Sequence, residues 1–307
     1  MSSASRSVLA FGIRATLDEL KRMKSDGVDA LTVDELTLAG LQEAVEDSVG
    51  FPASSDTESG TSVSHHQPML EPSEASSPDA VSLIHSVTSE GDLTPPRFEL
   101  PIGSKKERWE WLHEKVLNCE TCLANRNTER QIVFGVGNLD ADIFFCGEAP
   151  GEEEEKQGEP FVGPAGQKLN GMIRGMGLER EQVYIGNIMN WRPRTDSGFG
   201  NRPPSPQEIG FCLPYLKAQL SIIQPKVIVA LGNTAIQAFL SDTTLKVGKV
   251  RGHWFEFESV PMLPTFHPSY ILHNESNRTK RMVWEDLLKV MERLDLPISD
   301  KQRAYFL

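Results

Sequence analysis

Residues 142–166 read DIFFCGEAPGEEEEKQGEPFVGPAG, and the fold follows from how this stretch divides. Asp142–Cys146 (DIFFC) is a short, β-rich apolar run, the pattern of a strand buried on both faces. Gly147-Glu148-Ala149-Pro150-Gly151 then turns sharply. Its small residues let backbone N–H groups approach a ligand closely, although the same five residues also read as a plain strand-to-loop turn. Four glutamates, Glu152 to Glu155, precede an apolar Pro160-Phe161-Val162. Taken alone, such an acidic run reads as a solvated loop.

Three further segments repeat the strand pattern: Val183–Ile188 (VYIGNI), Val227–Leu231 (VIVAL) and Met262–Phe266 (MLPTF). Helical stretches separate them at Gly166–Met176, Pro206–Ile223 and Ala235–Leu240, and a final helix is expected from Asn277 to Arg293. Continuous apolar strands alternating with helices define an α/β class. We expect a three-layer sandwich with a central, mostly parallel sheet of about four strands. KVGKVRGHWFEFES, before the last strand, reads as a β-hairpin. In such sheets ligands sit beyond the carboxyl ends of the strands. GEAPG, NWRPR, GN and HPSY each follow a strand directly, so they should converge on one rim.

Charge divides the chain unevenly. The first hundred residues hold 17 of its 43 acidic and 6 of its 31 basic side chains. The remainder is close to neutral and free to carry a local basic face, so the overall charge of −12 does not exclude a nucleic-acid partner. Residues 1–46 show helical spacing, with Thr32 and Glu35 as a capping box. Residues 47–104 are acidic and rich in Ser and Pro, and read as a disordered linker. His65-His66 within it reads as a solvated pair rather than a metal site. Residues 105–307 read as the α/β domain. No run approaches the ~18 apolar residues of a membrane-spanning helix, and no secretory signal stands at the N-terminus. Four cysteines do not make a disulfide framework in a chain of this length. The expectation is a cytoplasmic protein with no membrane partner.

GEAPGEEEEKQGEPFVGPAGQKL, GNIMNWRPR, PKVIVALGNTA and TFHPSYIL, in this order, resemble the family 4 uracil-DNA glycosylases, the class that usually carries an iron–sulfur cluster. The resemblance covers residues 105 to about 293. It implies a uracil-DNA glycosylase-like fold and hydrolysis of the bond between uracil and deoxyribose in DNA, on a nucleotide flipped out of the duplex. It implies that His267 donates to the uracil oxygen, that Asn187 reads the base edge and that Phe161 stacks on the flipped ring. Backbone groups around Glu148 and Ala149 would complete the pocket. In distant glycosylases of the same fold an Asp stands where this chain has Ala149; in family 4 a later glutamate is implicated, and counting back from Gly158-Glu159-Pro160-Phe161 puts it at Glu154. Glu152, Glu153 and Glu155 then remain a solvated loop. Leu272 is the candidate wedge into DNA, and Arg278, with Lys280 and Arg281, a candidate phosphate contact.

Cys119-Glu120-Thr121-Cys122 alone fits zinc, redox chemistry or a cluster corner. The resemblance makes Cys119, Cys122 and Cys212 three ligands of a 4Fe-4S cluster, but its fourth position holds Trp191, which cannot ligate iron. A normal four-cysteine cluster is therefore not expected; a cluster held by three thiolates and a non-cysteine ligand, a site with zinc or nothing, and Trp191 packed into the vacated space all stay open, and Cys146 reads as a small buried residue. The expected function is a monomeric, monofunctional uracil-DNA glycosylase of base-excision repair. The rivals are a non-turnover uracil-DNA binding protein, a glycosylase of broader deaminated-base specificity, and a nucleotide-binding regulatory domain.

Overall fold

The computed structural model describes residues 93–195 and 200–307. The expected N-terminal helices, the His65-His66 pair and the linker up to residue 92 lie outside the described residues. The last stretch of the expected linker differs from expectation: Phe98 stacks on Tyr215 with ring centroids 5.3 Å apart, and Leu93 and Leu100 also pack on the core.

Helices α1 (Lys105–Leu117) and α2 (Glu120–Asn125) lead into a six-stranded sheet. The strands are β1 (Val136–Gly137), β2 (Ile143–Gly147), β3 (Tyr184–Asn187), β4 (Val227–Leu231), β5 (Phe255–Phe257) and β6 (Val260–Thr265). Their order is β1-β3-β2-β4-β6-β5. The central four pair in parallel, while β1 and β5 close the two edges antiparallel. Every residue of β2 and β4 is buried, as continuous apolar runs in a parallel sheet must be. Of the two edge strands, β1 was not expected. The expected hairpin also shifts by one element: Val247–Val250 is a short helix, and β5 pairs instead with the start of β6. The Glu258-Ser259 turn between them places both residues at positive φ.

Helices α3 (Glu152–Gln157) and α4 (Pro164–Gly175) connect β2 to β3. Helix α5 (Pro206–Ile223) returns from β3 across β2 to β4, and α6 (Gly232–Leu240) opens the link from β4 to β6, with Val247–Val250 as α7. Moving outward by one strand and then back in the opposite direction, right-handed crossovers put α3 and α4 on one face and α5 and α6 on the other. Adjacent strands β2 and β4 thus send their connections to opposite faces, which opens a crevice at their carboxyl ends. After β6 come α8 (Pro268–His273), packed on α4, then α9 (Asn277–Arg293) and α10 (Asp300–Arg303).

The glutamate run is α3, not a loop. Gly151 caps it, Glu154 closes a capping contact onto the Gly151 N–H, and Gly158 ends it at φ +73°. Four carboxylates in the first turn face the positive end of the helix dipole, so an acidic run that reads as solvated is also a sound helix start.

Candidate active site

Of the motifs expected at the rim, GEAPG, NWRPR and HPSY meet there, while Gly232-Asn233 lies outside the cavity lining. A cavity of about 140 Å³ is lined by Glu148, Ala149, Glu154, Phe161, Asn187 and His267, among others. This is below the ~300–1,000 Å³ of drug-sized pockets and fits a single small ring. Its walls come from the ends of β2, β3 and β6, three separate segments of the chain.

Asn187 ends β3 and is 6 % exposed; its Oδ1 is buried and finds no hydrogen-bond partner among the described residues. An orphaned buried acceptor is costly, and at a cavity wall it marks a place for a ligand donor. Gly147 makes this arrangement feasible. A Cβ there would lie 2.5 Å from both Asn187 Oδ1 and Phe161 Cζ, so only glycine lets amide and ring close over the strand.

Phe161 is buried with φ +54°, a left-handed conformation unusual for an aromatic residue. Its ring faces His267, with centroids 5.6 Å apart and planes inclined by 33°. His267 stands at the N-cap of α8, where its Nδ1 accepts from the Ser269 N–H at 3.2 Å and lies 2.8 Å from Ser269 Oγ. Because Nδ1 accepts a backbone N–H, the proton of the neutral ring belongs on Nε2, and the imidazole is then a donor at that atom. Thr265, two residues earlier, donates to Asp286, which also pairs with Arg251. Burial pushes the Asp286 carboxyl up to about 6 despite these partners, and the cluster anchors the strand end that carries His267.

Glu154 is tied on three sides. Oε1 accepts from the Val162 N–H (3.0 Å) and the Gly163 N–H (2.8 Å), and Oε2 from the Gly151 N–H (3.1 Å). A carboxylate has about four lone-pair sites, so little acceptor capacity is left for a water. Glu148 accepts from Thr234 Oγ1 at 2.5 Å, across from the start of α6.

Glu155 departs from its expected role as a solvated companion. It is 2 % exposed. Its carboxylate accepts from Arg192 Nη1 at 2.8 Å and Asn127 Nδ2 at 2.6 Å, with Arg130 Nε 3.7 Å away. Arg192 also donates to Asn201 and to the Gly200 carbonyl, and both Arg192 and Asn201 line the cavity. Sequence reasoning missed this pair. Position 155 shares a helix face with the exposed Glu152 three residues earlier, so the helix period does not set it apart; its burial comes from Asn127 and Arg192, which only the tertiary fold brings against it. Glu152 is exposed and Glu153 half-buried, and both pair with Lys156.

The DNA-facing candidates lie apart from the cavity lining. Leu272 is half-buried on α8 and Arg278 is exposed in the first turn of α9. Arg281 is committed elsewhere, to Glu285 and to the carbonyls of Arg303 and Tyr305.

The cysteines gather, but as a set of three. The Cys119 thiol is drawn down to about 5 chiefly by its hydrogen bond with Cys122, against the opposing effect of burial, and Tyr215 Oη lies 3.4 Å from its sulfur. The same bond and burial push Cys122 up, and burial pushes Cys212 up. Trp191, at the position the resemblance gives to a fourth ligand, is fully buried, its Nε1 unpartnered among the described residues and its ring 5.8 Å from Phe211. The described residues contain no group of three or more His, Cys, Asp or Glu arranged to hold a metal ion. Three thiols beside an indole do not provide the Cys₄ donor set of a 4Fe-4S cluster. Cys146 is buried within β2, its thiol directed to the Gly147 carbonyl.

A doubly wound sheet with a small cavity at its switch point, built from GEAPG, a strand-terminal Asn and an HPS turn, defines a class. Residues 134–288 match the model of the uracil DNA glycosylase superfamily, and the chain belongs to that family. Among its relatives, the type-4 uracil-DNA glycosylase of Thermotoga maritima is 44 % identical over 189 residues, covering 61 % of this chain and 94 % of the relative. The type-4 uracil-DNA glycosylase of Sulfurisphaera tokodaii is 38 % identical over 208 residues, 64 % of this chain and 90 % of that one. That of Archaeoglobus fulgidus is 39 % identical over 171 residues, 53 % and 83 %. Among the described residues no helix is long and apolar enough to cross a membrane.

Proposed function

We propose that this chain is a monofunctional DNA glycosylase that hydrolyses the N-glycosidic bond of deoxyuridine in DNA, as a step of base-excision repair. The observation that carries the reading is the buried, unpartnered Oδ1 of Asn187 in the cavity that Glu154, Phe161 and His267 also line. Uracil supplies what this atom lacks. Its ring N–H donates to Oδ1, while the Asn187 amide N–H₂ donates to the adjacent carbonyl.

A base inside a duplex cannot reach this cavity, so the nucleotide is flipped or already single-stranded. The flipped ring lies against Phe161. As the C1′–N1 bond breaks, its electron pair leaves with uracil and positive charge develops on the sugar. The Nε2–H of His267 donates to the uracil oxygen that takes up the negative charge, a stabilisation aimed at the transition state. Glu154 holds the attacking water through its remaining acceptor site. The water oxygen bonds to C1′ and its proton passes to the carboxylate. Glu148 and the backbone at Ala149 line the sugar side.

Leu272 and Arg278 are proposed to meet the DNA beyond the pocket. Residues 105–307 are proposed as the catalytic unit, working as a cytoplasmic monomer, with residues 1–46 and 47–104 as a helical segment and a linker. Hydrolysis needs no electron transfer, and no step is routed through a metal cluster. The test is incubation with a uracil-containing oligonucleotide followed by alkali. Strand scission at uracil is expected, and an intact strand where a control glycosylase cuts would refute the proposal.

A further inference from the structure

Phe161 holds its ring against His267 only by keeping a backbone conformation that L-residues avoid, at φ +54°. Something outside the segment must enforce it. The left-handed residue turns the carbonyls of Pro160 and Phe161 within reach of a single side chain. Arg180, at the start of a 3₁₀ turn leading into β3, occupies that position. Its Nη2 donates to the Pro160 carbonyl at 2.6 Å and its Nη1 to the Phe161 carbonyl at 3.2 Å. Nη1 also reaches Asn170 Oδ1 at 3.1 Å, and Nη2 lies 3.3 Å from Glu159 Oε1.

The same short segment is held from its other side. The N–H groups of Val162 and Gly163 donate to Glu154. A cation therefore collects the carbonyls of residues 160 and 161, and an anion collects the N–H groups of residues 162 and 163. Gly166 closes the arrangement, since a Cβ there would fall 1.9 Å from the Phe161 oxygen. The first turn of α4 lies directly against that carbonyl and leaves it no other place.

We propose that Arg180 is a positioning residue for base excision. Its guanidinium fork fixes the left-handed backbone of Phe161 and thereby the ring on which the flipped base stacks. Arg180 does not line the cavity, so it acts through Phe161. This inference rests on the reading of Phe161 as the stacking platform. A planar fork with two parallel donors suits two neighbouring carbonyls, whereas a lysine ammonium is a point donor on a flexible stem.

The experiment is single-turnover excision at saturating uracil-containing DNA, at a temperature where melting curves show each variant folded. The proteins are wild type, Arg180→Ala, Arg180→Lys, Phe161→Ala and the Arg180→Ala/Phe161→Ala double variant. A misplacement of order 1 Å at a reacting centre costs about a hundredfold, so Arg180→Ala should lose about tenfold to a hundredfold in rate. Arg180→Lys should recover part of that loss. The double variant should match Phe161→Ala alone, because with the ring gone Arg180 has nothing left to position. Affinity for uracil-free duplex should stay unchanged in all of them. A wild-type rate for folded Arg180→Ala overturns the proposal, as does an Arg180 loss that multiplies with that of Phe161→Ala. A purely structural role would appear as lowered melting temperature at unchanged rate, and also overturns it. A wild-type rate for Phe161→Ala would instead remove the stacking reading itself, and the inference with it. Should Arg180→Ala not fold, Arg180→Lys carries the same test, with an intermediate rate expected and a wild-type rate refuting.

Discussion

Removing the Glu154 carboxylate separates chemistry from scaffolding in the acidic run. The group has two duties, since it accepts three backbone N–H bonds between 2.8 and 3.1 Å and is proposed to hold the attacking water. A positioned general base contributes about 10²- to 10⁴-fold in rate, or ~2.7–5.4 kcal/mol at 1.36 kcal/mol per decade. A hydrogen bond to a charged acceptor is worth about 1.5–3 kcal/mol when buried. Glu154 is only half-buried, so water rehydrates the freed N–H groups in Glu154→Ala, and the folding cost should be nearer ~1–3 kcal/mol in total. For a domain of this size ~1 kcal/mol corresponds to ~2–4 °C in melting temperature, which leaves the variant folded at ordinary assay temperatures. Glu153→Ala is the matched control. It removes an adjacent carboxylate that only pairs with Lys156 at the surface, worth about 0–1 kcal/mol. Single-turnover excision of an end-labelled uracil oligonucleotide should therefore fall at least about a hundredfold in Glu154→Ala and stay near wild type in Glu153→Ala. Added formate, a carboxylate small enough for the vacated space, should restore part of the Glu154→Ala rate if the loss is that of the base. Equal rates in the two alanine variants would show that Glu154 carries no part of the reaction.

Two neighbouring features give further expectations. Glu155→Ala strands Arg192 and Asn127 around a vacated buried site, and breaking such a pair costs ~3–5 kcal/mol. Its melting temperature should drop well below that of Glu152→Ala, a change at an exposed surface carboxylate, and coincident melting curves would refute the buried-pair account. Trp191→Cys completes a four-cysteine set with Cys119, Cys122 and Cys212. After anaerobic reconstitution the variant should take up iron and inorganic sulfide at about four of each per chain, whereas the unaltered chain should not. A full complement of iron in the unaltered chain would overturn the reading of Trp191 as a packing residue.

Much of the architecture was legible because the four central strands are continuous apolar runs and helix α5 opens with Pro206 behind a Ser205–Glu208 capping box. The edge strand Val136–Gly137 was not, being too short to show any period, and Phe255–Phe257 was read as part of a hairpin with the preceding residues whereas it pairs with the start of β6. At the site, Asn187, Phe161, His267 and Glu154 could be singled out because each belongs to a distinctive local motif, and the structure brings all four to one cavity. Arg180 carried no such mark, and Arg192 stood in the NWRPR motif without any sign of its partner. An arginine in a polar segment reads as solvated, and its partners are backbone carbonyls and a carboxylate 19 to 37 residues away in the chain.

By itself, then, the sequence determined the parallel sheet and the rim on which its motifs converge. These are properties of local pattern and residue type. Tertiary structure alone decided that Glu155, next to the cavity-lining Glu154, is buried, because its partners Asn127 and Arg192 come from distant parts of the chain. It also decided which nitrogen of His267 carries the proton, through the Ser269 N–H, and it holds Phe161 in a backbone state the residue would not choose. Each of these depends on a partner that only folding brings within 3 Å or so.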